Sequence, residues 1–324
     1  MLKTSLGLLC VGGLFTLSGT QLPAQSEQCL SASLRNARVD ANPELAQKAA
    51  RLEQFTQHWI HDQKGKLQLR SPITLSGVVH VLWRTAAENI SDAQIQSQIE
   101  VLNEDFRQRN ADFSNTPAAF LGIAADVEIE FCLASVDPDG NSTNGITRTQ
   151  TDIDNIRKTE DWYSTFWGGK DAWDVDRYIN IWACDIGDDG TLGFAYIPET
   201  ADPPESDGLV IGHQYFGKIG TAANTEFNNL GRTVTHEMGH YFNLEHLWGI
   251  DRGSCEEDDF VSDTPNQFED SFACPTFPLF DDCTSERGGV QFMNFMDYSD
   301  DACLTMFTEG QKMRMLAALN WQAD

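Results

Sequence analysis

Between Asn42 and Lys66 apolar side chains recur at Leu45, Ala49, Leu52, Phe55 and Trp59, with polar residues between them. That spacing is the stripe of an amphipathic helix. Gly65 and the LQLRSP run end it, and Pro72 sets an extended entry into the next segment. There the texture changes: ITLSGVVHVLW (73–83) is rich in β-branched and apolar residues and predicts a buried strand. Ser91, with Gln94 three positions on, reads as a capping box opening a helix whose buried stripe is Ile95, Ile99, Leu102 and Phe106. VEIEFCLA (127–134) predicts the next strand, DPDGNSTNG a loop, and RYINIWAC (177–184) a further strand. GFAYIP (193–198) and GLVIG (208–212) predict shorter ones. Past His246 the chain is rich in Pro, Cys and Asp and loses its periodicity until Thr308 and Gln311 form a second capping box. That box opens a helix through Met313, Leu316 and Leu319.

This order of elements predicts an α+β protein. An α/β-like upper lobe with a mixed sheet would span residues 71–246, and an irregular lower lobe residues 247–324. A site is expected in the cleft where the lobes meet, near His246. The first residues carry Lys3 and then an apolar run from Leu6 to Leu17, the form of a secretory signal peptide over 1–24 and too short to span a membrane comfortably. An exported protein is expected, with no later segment apolar enough to cross a bilayer. The 49 acidic against 22 basic residues argue against nucleic acid or an anionic membrane as partner, since phosphates would be repelled. The sequence is silent on oligomeric state. In an exported chain the late cysteines Cys255, Cys274, Cys283 and Cys303 read as two disulfides, with three pairings open. Cys132 and Cys184 fall in strand-like stretches, as a pair or as buried thiols, and Cys29 is left over.

The chemistry concentrates in HEMGHYFNLEH (236–246). Each helical residue turns by about 100°, so His236 and His240 lie one turn apart on one face and can converge on a single Zn²⁺. Glu237 is turned beside that face, where a general base sits to take a proton from the attacking water. A catalytic zinc needs three protein ligands and an open position. His246 supplies the third only if the chain turns sharply after the helix. Asn243 stands at the turn, and asparagine is one of the few residues besides glycine enriched at positive φ. His58, His61, His80 and His213 have no ligand spacing and read as structural or surface groups.

The HExxHxxxxxH run and the segment MNFMDYSDDACLTMFTEGQKMRML (293–316), with VSDTPNQ upstream, together resemble the metzincin metallopeptidases. The similarity is to their pappalysin group, which includes ulilysin-like and cytophagalysin-like bacterial proteases. It runs from about residue 73 to the end, with a weaker echo in 29–60. It implies a two-lobed zincin fold with an active-site helix and a disulfide-pinned lower lobe. Met296 would lie in the methionine turn beneath the zinc. Tyr298 would place its phenol where it can hydrogen-bond the tetrahedral intermediate. The late cysteines would pair as Cys255–Cys283 and Cys274–Cys303. The resemblance also implies Ca²⁺ in the lower lobe, where EEDDFVSDT offers Asp259, Asp263 and Thr264, oxygen ligands of the kind a hard cation takes. Relatives are made as zymogens, so residues 25–70 would be a pro-segment, released by a cut near Arg70. Cys29 would then occupy the zinc's open position, thiolate being a strong zinc ligand. Here the chain departs from the pattern, because Leu30 and Ser31, and not glycine, follow Cys29.

The sequence therefore reads as a secreted, zinc-dependent endopeptidase acting on proteins or peptides, with a catalytic domain over 71–324. Zinc on His236, His240 and His246, Glu237 as base and Tyr298 as oxyanion donor would carry the reaction. The alternative is a zincin fold that has lost catalysis and serves as a binding or adhesion module; such relics usually lose the base or a ligand, and this chain keeps all four. Asp300 and Asp301, after the methionine turn, are candidates for favouring basic residues beside the scissile bond.

Overall fold

A computed structural model describes residues 27–156, 162–250, 252–285 and 288–321. The expected signal peptide lies outside the described residues. Two helices come first, α1 (Ser31–Ala41) and α2 (Pro43–Gln63), followed by the longest strand, β1 (Ile73–Trp83). Then come α3 (Asp92–Phe106), β2 (Ile129–Leu133), β3 (Ile146–Gln150), β4 (Ile179–Cys184), β5 (Gly193–Ala195) and β6 (Leu209–Gly212). Helices α4 (Arg232–Tyr241) and α5 (Glu309–Leu319) complete the set.

The strands form one mixed sheet in the order β2-β1-β4-β6-β5, with β3 also paired to β1. All pairs are parallel except β5 with β6. β1 reads as a near-continuous apolar run because it is covered on both faces. Its alternation divides two cores: Val79 and Val81 join Ile181, Ala183, Leu209 and the helices α3 and α4, while Leu82 joins Trp182, Cys184, Phe194, Tyr196 and Val210 on the other face. The short antiparallel β5 closes the edge of the sheet that faces α4.

Helix α2 takes the bounds its stripe predicts and buries Leu45 and Leu52. It packs on α5 at the far end of the chain, with Phe55 edge-on to the Trp321 ring at 5.1 Å. Helix α3 begins at Ser91, whose hydroxyl accepts the Gln94 N–H, but the reciprocal half of the expected box is missing. The Gln94 amide instead donates to the Phe216 carbonyl and Thr221 hydroxyl of a distant loop, where the buried side chain finds its partners. At α5 the box is complete. β3 was not predicted, because ITRTQ has no fully buried position and no apolar alternation.

After α4 the chain has no strand and little helix among the described residues until α5, and two disulfides pin it: Cys255–Cys283 and Cys274–Cys303. Cys132 and Cys184 are not bonded to each other: Cys132 is exposed on β2, and Cys184 is a buried thiol.

Candidate metal centre

Helix α4 has no side chain of its own to cap it. Its first turn is held from elsewhere: Gly231 enters at φ +82°, and Asp301 Oδ2 accepts the N–H groups of Leu230 and Arg232. A carboxylate there also complements the positive end of the helix. Arg232 is buried and reaches Asp105 on α3 and Asp112, both at 2.7 Å, while Thr235 donates to the second Asp105 oxygen at 2.6 Å. This network seats α4 against α3 independently of any metal. On the lower side Gly239 faces Met296, and a Cβ on that glycine would come within 2.5 Å of the Met296 sulfur. Met296 is fully buried.

The helix stops where the sequence requires it to. Asn243 adopts φ +70°, and the Leu244 N–H returns to the Gly239 carbonyl at 3.0 Å. The chain then turns back and delivers His246. His236 Nδ1 lies 2.8 Å from the Phe295 carbonyl and His240 Nδ1 2.7 Å from the Leu244 carbonyl. A carbonyl only accepts, so each Nδ1 carries the proton and each Nε2 presents a lone pair. The three Nε2 atoms are mutually 3.1 Å apart. Two lone pairs facing each other at that distance repel unless a cation lies among them, and such a triangle leaves room for one ion bonded at about 2.0–2.1 Å to all three. Burial pushes the His236 pKa down to about 4 and those of His240 and His246 well below the usual value, so the imidazoles are neutral, as ligands must be. The donor set fits zinc.

Around this triangle stand the remaining expected groups. Tyr298 is buried, its ring 5.1 Å from that of His246, and its hydroxyl donates to the Cys29 carbonyl at 3.3 Å. Trp248 stacks on His246 with centroids 4.5 Å apart. Cys29 belongs to the same cluster, in which the four ligand atoms all lie within 4.8 Å of one another. Its thiol is also 3.3 Å from Glu237 Oε2. Burial, then the nearby Glu237 charge, push that thiol's pKa up. Burial likewise raises the Glu237 carboxyl to about 8, against the hydrogen bonds from Ser31, Cys29 and the Ala195 N–H.

The Peptidase M43 family description, "Pregnancy-associated plasma protein-A", matches residues 168–320. An extracellular metalloprotease of Arthroderma gypseum is 31% identical over 253 residues, 78% of this chain and 73% of that relative. Another, from Arthroderma benhamiae, is 29% identical over 82% of this chain and 83% of its own length. The chain belongs to the M43 metallopeptidases. Among solved structures, mature mirolysin of Tannerella forsythia in complex with a cleaved peptide is 49% identical with a TM-score of 0.73, over 76% of this chain and 91% of that one. A promirolysin mutant from the same organism is 42% identical with a TM-score of 0.82, over 90% of this chain and 93% of that one. The two-lobed metzincin fold and the zinc metallopeptidase class are therefore those of this M43 chain.

Two residues of this M43 site, Ser31 and Gly239, were given no role in the sequence analysis, and a third, Asp301, was given a different one. Ser31 donates to Glu237 Oε2 at 2.8 Å and accepts the Ala195 N–H at 2.8 Å. Its signal is its place two residues after Cys29, where the departure from the family pattern begins. Gly239 and Asp301 (the latter expected in another role) position α4, and periodicity carries no trace of such contacts. The acidic run divides. Asp259 is buried, with Thr264 Oγ1 2.7–2.8 Å from both its oxygens. Asp263 instead accepts the Thr308 hydroxyl and the Gly310 N–H at the start of α5. It supports the capped first turn of α5 from outside and, among the described residues, shares no bonded partner with Asp259.

Proposed function

We propose that this metallopeptidase is a secreted endopeptidase, made as a zymogen with a signal peptide over 1–24, a pro-segment over 25–70 and a catalytic domain over 71–324. The observation that carries the reading is the convergence of three histidine Nε2 atoms beside a buried glutamate, with the Cys29 sulfur in the same cluster. His236, His240 and His246 would hold the zinc, which when bound polarises the scissile carbonyl and makes water acidic enough to attack. Glu237 takes the water's proton and returns it to the leaving amine. Tyr298, released from the Cys29 carbonyl, donates its hydroxyl to the developing oxyanion. Met296 packs beneath the ligands and binds nothing. In the zymogen Cys29 blocks the position that water must take, and the names of extracellular relatives and of promirolysin support export and latency.

Peptide or protein substrates follow from the family and from the cleaved peptide held by mature mirolysin. For calcium, Asp259 and Thr264 are the supported pair: a buried carboxylate with no ion-pair partner among the described residues, its pKa pushed well up by burial, is where a cation would be welcome. Glu237→Gln should lose at least a hundredfold in casein hydrolysis while keeping zinc in full stoichiometry. Cleavage that survives either this change or removal of zinc would refute the reading.

A further inference from the structure

Glu245 precedes His246 and is 2% exposed. Its Oε1 is 2.9 Å from Arg35 Nη1, the sole cation paired with it among the described residues, and its Oε2 is buried with no hydrogen-bond partner. Arg35 lies on α1, six residues after Cys29. The segment that carries both runs beside β5, with the Leu192 N–H on the Gln28 carbonyl, the Leu30 N–H on the Gly193 carbonyl, and a parallel bridge from Cys29 to Gly193. One stretch of chain thus fills the cleft, residues 28–30 alongside β5 and the rest as helix α1. Gln28 sits in a pocket with Thr233, Asp301 and Leu304, Cys29 at the histidines, and Arg35 at Glu245 beyond the other end of α4.

When residues 25–70 leave, Glu245 loses its cation and becomes a half-unsatisfied carboxylate in the wall of the vacated cleft, one residue from a zinc ligand. A carboxylate so placed favours any ligand that brings a positive group back. We propose that Glu245 is the recognition carboxylate of a substrate subsite for arginine or lysine, and that Arg35 fills this subsite in the zymogen. The proposal rests on the pro-segment reading. The six residues from Cys29 to Arg35 are mostly helical. At a rise of about 1.5 Å each they span roughly 9 Å, which an extended substrate at about 3.3 Å per residue crosses in two to four residues from the scissile bond. It lies at the opposite end of the helix from Asp301. A competing fate for Glu245 is Arg314, which donates to the Asn243 carbonyl at 2.6 Å and loses its own partner, Glu53, with the same pro-segment.

The test uses the full-length protein after processing, zinc-loaded, as wild type, Glu245→Gln and Glu245→Asp. Quenched fluorescent peptides carry arginine, lysine, citrulline or norleucine at each of four positions on either side of the bond. We expect an arginine-over-citrulline ratio of about ten in kcat/KM at one position two to four residues from the bond, falling to about one in Glu245→Gln. In parallel, a synthetic peptide of residues 28–41 is titrated against the processed proteins by calorimetry. Arg35→Gln in that peptide should weaken binding about tenfold to wild type and leave binding to Glu245→Gln unaltered. A wild type with no basic preference at those positions overturns the proposal even if Glu245→Gln fails to fold, and is the result expected if Arg314 takes over. A preference that survives in Glu245→Gln also overturns it. If processed wild type cuts no peptide, the endopeptidase reading fails instead, and the calorimetric comparison alone decides Glu245.

Discussion

Ser31 Oγ lies 2.8 Å from Glu237 Oε2, so the residue two places after Cys29 holds the group assigned as general base. The same hydroxyl occupies the Ala195 N–H on the edge strand, which leaves the base engaged and the strand edge satisfied. Under the proposed zymogen reading, latency would rest on two contacts and not on the thiol alone.

Unprocessed Cys29→Ala should accordingly remain mostly inactive, and Cys29→Ala with Ser31→Ala should leak more. A hydrogen bond to a charged group is worth about 1.5–3 kcal/mol, so the second change should raise casein hydrolysis roughly tenfold or more over the first. Full activity in unprocessed Cys29→Ala would leave Ser31 without a part in latency.

Gly239 and Met296 meet across the two lobes, and the clash a Cβ would make sets the next expectation. Gly239→Ala should destabilise the protein by about 1–3 kcal/mol, the cost of overpacking a tight core, and should lower zinc retention because α4 carries two of the ligands. Adding Met296→Ala should recover part of the loss. Thermal unfolding with zinc analysis checks both, and an unchanged Tm in Gly239→Ala would contradict the packing argument.

Asp259 offers a calcium test separate from the zinc. Calcium-stripped, zinc-loaded protein should unfold at a higher temperature once Ca²⁺ is added, by about 2.7 kcal/mol at a hundredfold excess over Kd. Asp259→Asn should abolish that gain, whereas Asp263→Asn should lower Tm with and without calcium, because it weakens the carboxylate contacts that Asp263 adds to Thr308 and the Gly310 N–H in the first turn of α5. No shift on adding Ca²⁺ would remove calcium from the account.

Asp207 sets a pH dependence. Burial, partly offset by a hydrogen bond from the Tyr241 hydroxyl, raises its carboxyl from 3.8 to about 7. The folded state therefore holds a proton that the unfolded chain has lost, and stability falls as pH rises from about 4 to about 7, then levels off. Asp207→Asn should remove this downward contribution, so that the variant gains on wild type across that window in denaturant titrations at successive pH values. Parallel curves for the two proteins would show that Asp207 titrates normally.

The histidine triad was legible because its spacing is partly helical: His236 and His240 share a face whatever surrounds them. Asn243 was legible for a related reason, since positive φ excludes most residues and the observed +70° is the turn that a third ligand at His246 needs. The strands buried on both faces were readable in β1 and β4, whereas β3 was not, because its pairing owes nothing to an apolar pattern of its own. The expected capping box at Gln94 failed since a side chain that can bond locally can also bond a distant loop, and no local pattern tells which.

What the sequence by itself determined is the chemistry that depends on neighbours along the chain: the histidine helix, its stop and those upper-lobe strands and helices that carry an apolar pattern of their own. Tertiary structure alone decided which distant groups complete the site. Asp301 caps α4, Met296 lies under Gly239, Ser31 holds Glu237, and Arg35 is paired with Glu245 across more than two hundred residues. Such contacts are set by the packing of whole elements, and packing leaves no period in the residues that it joins.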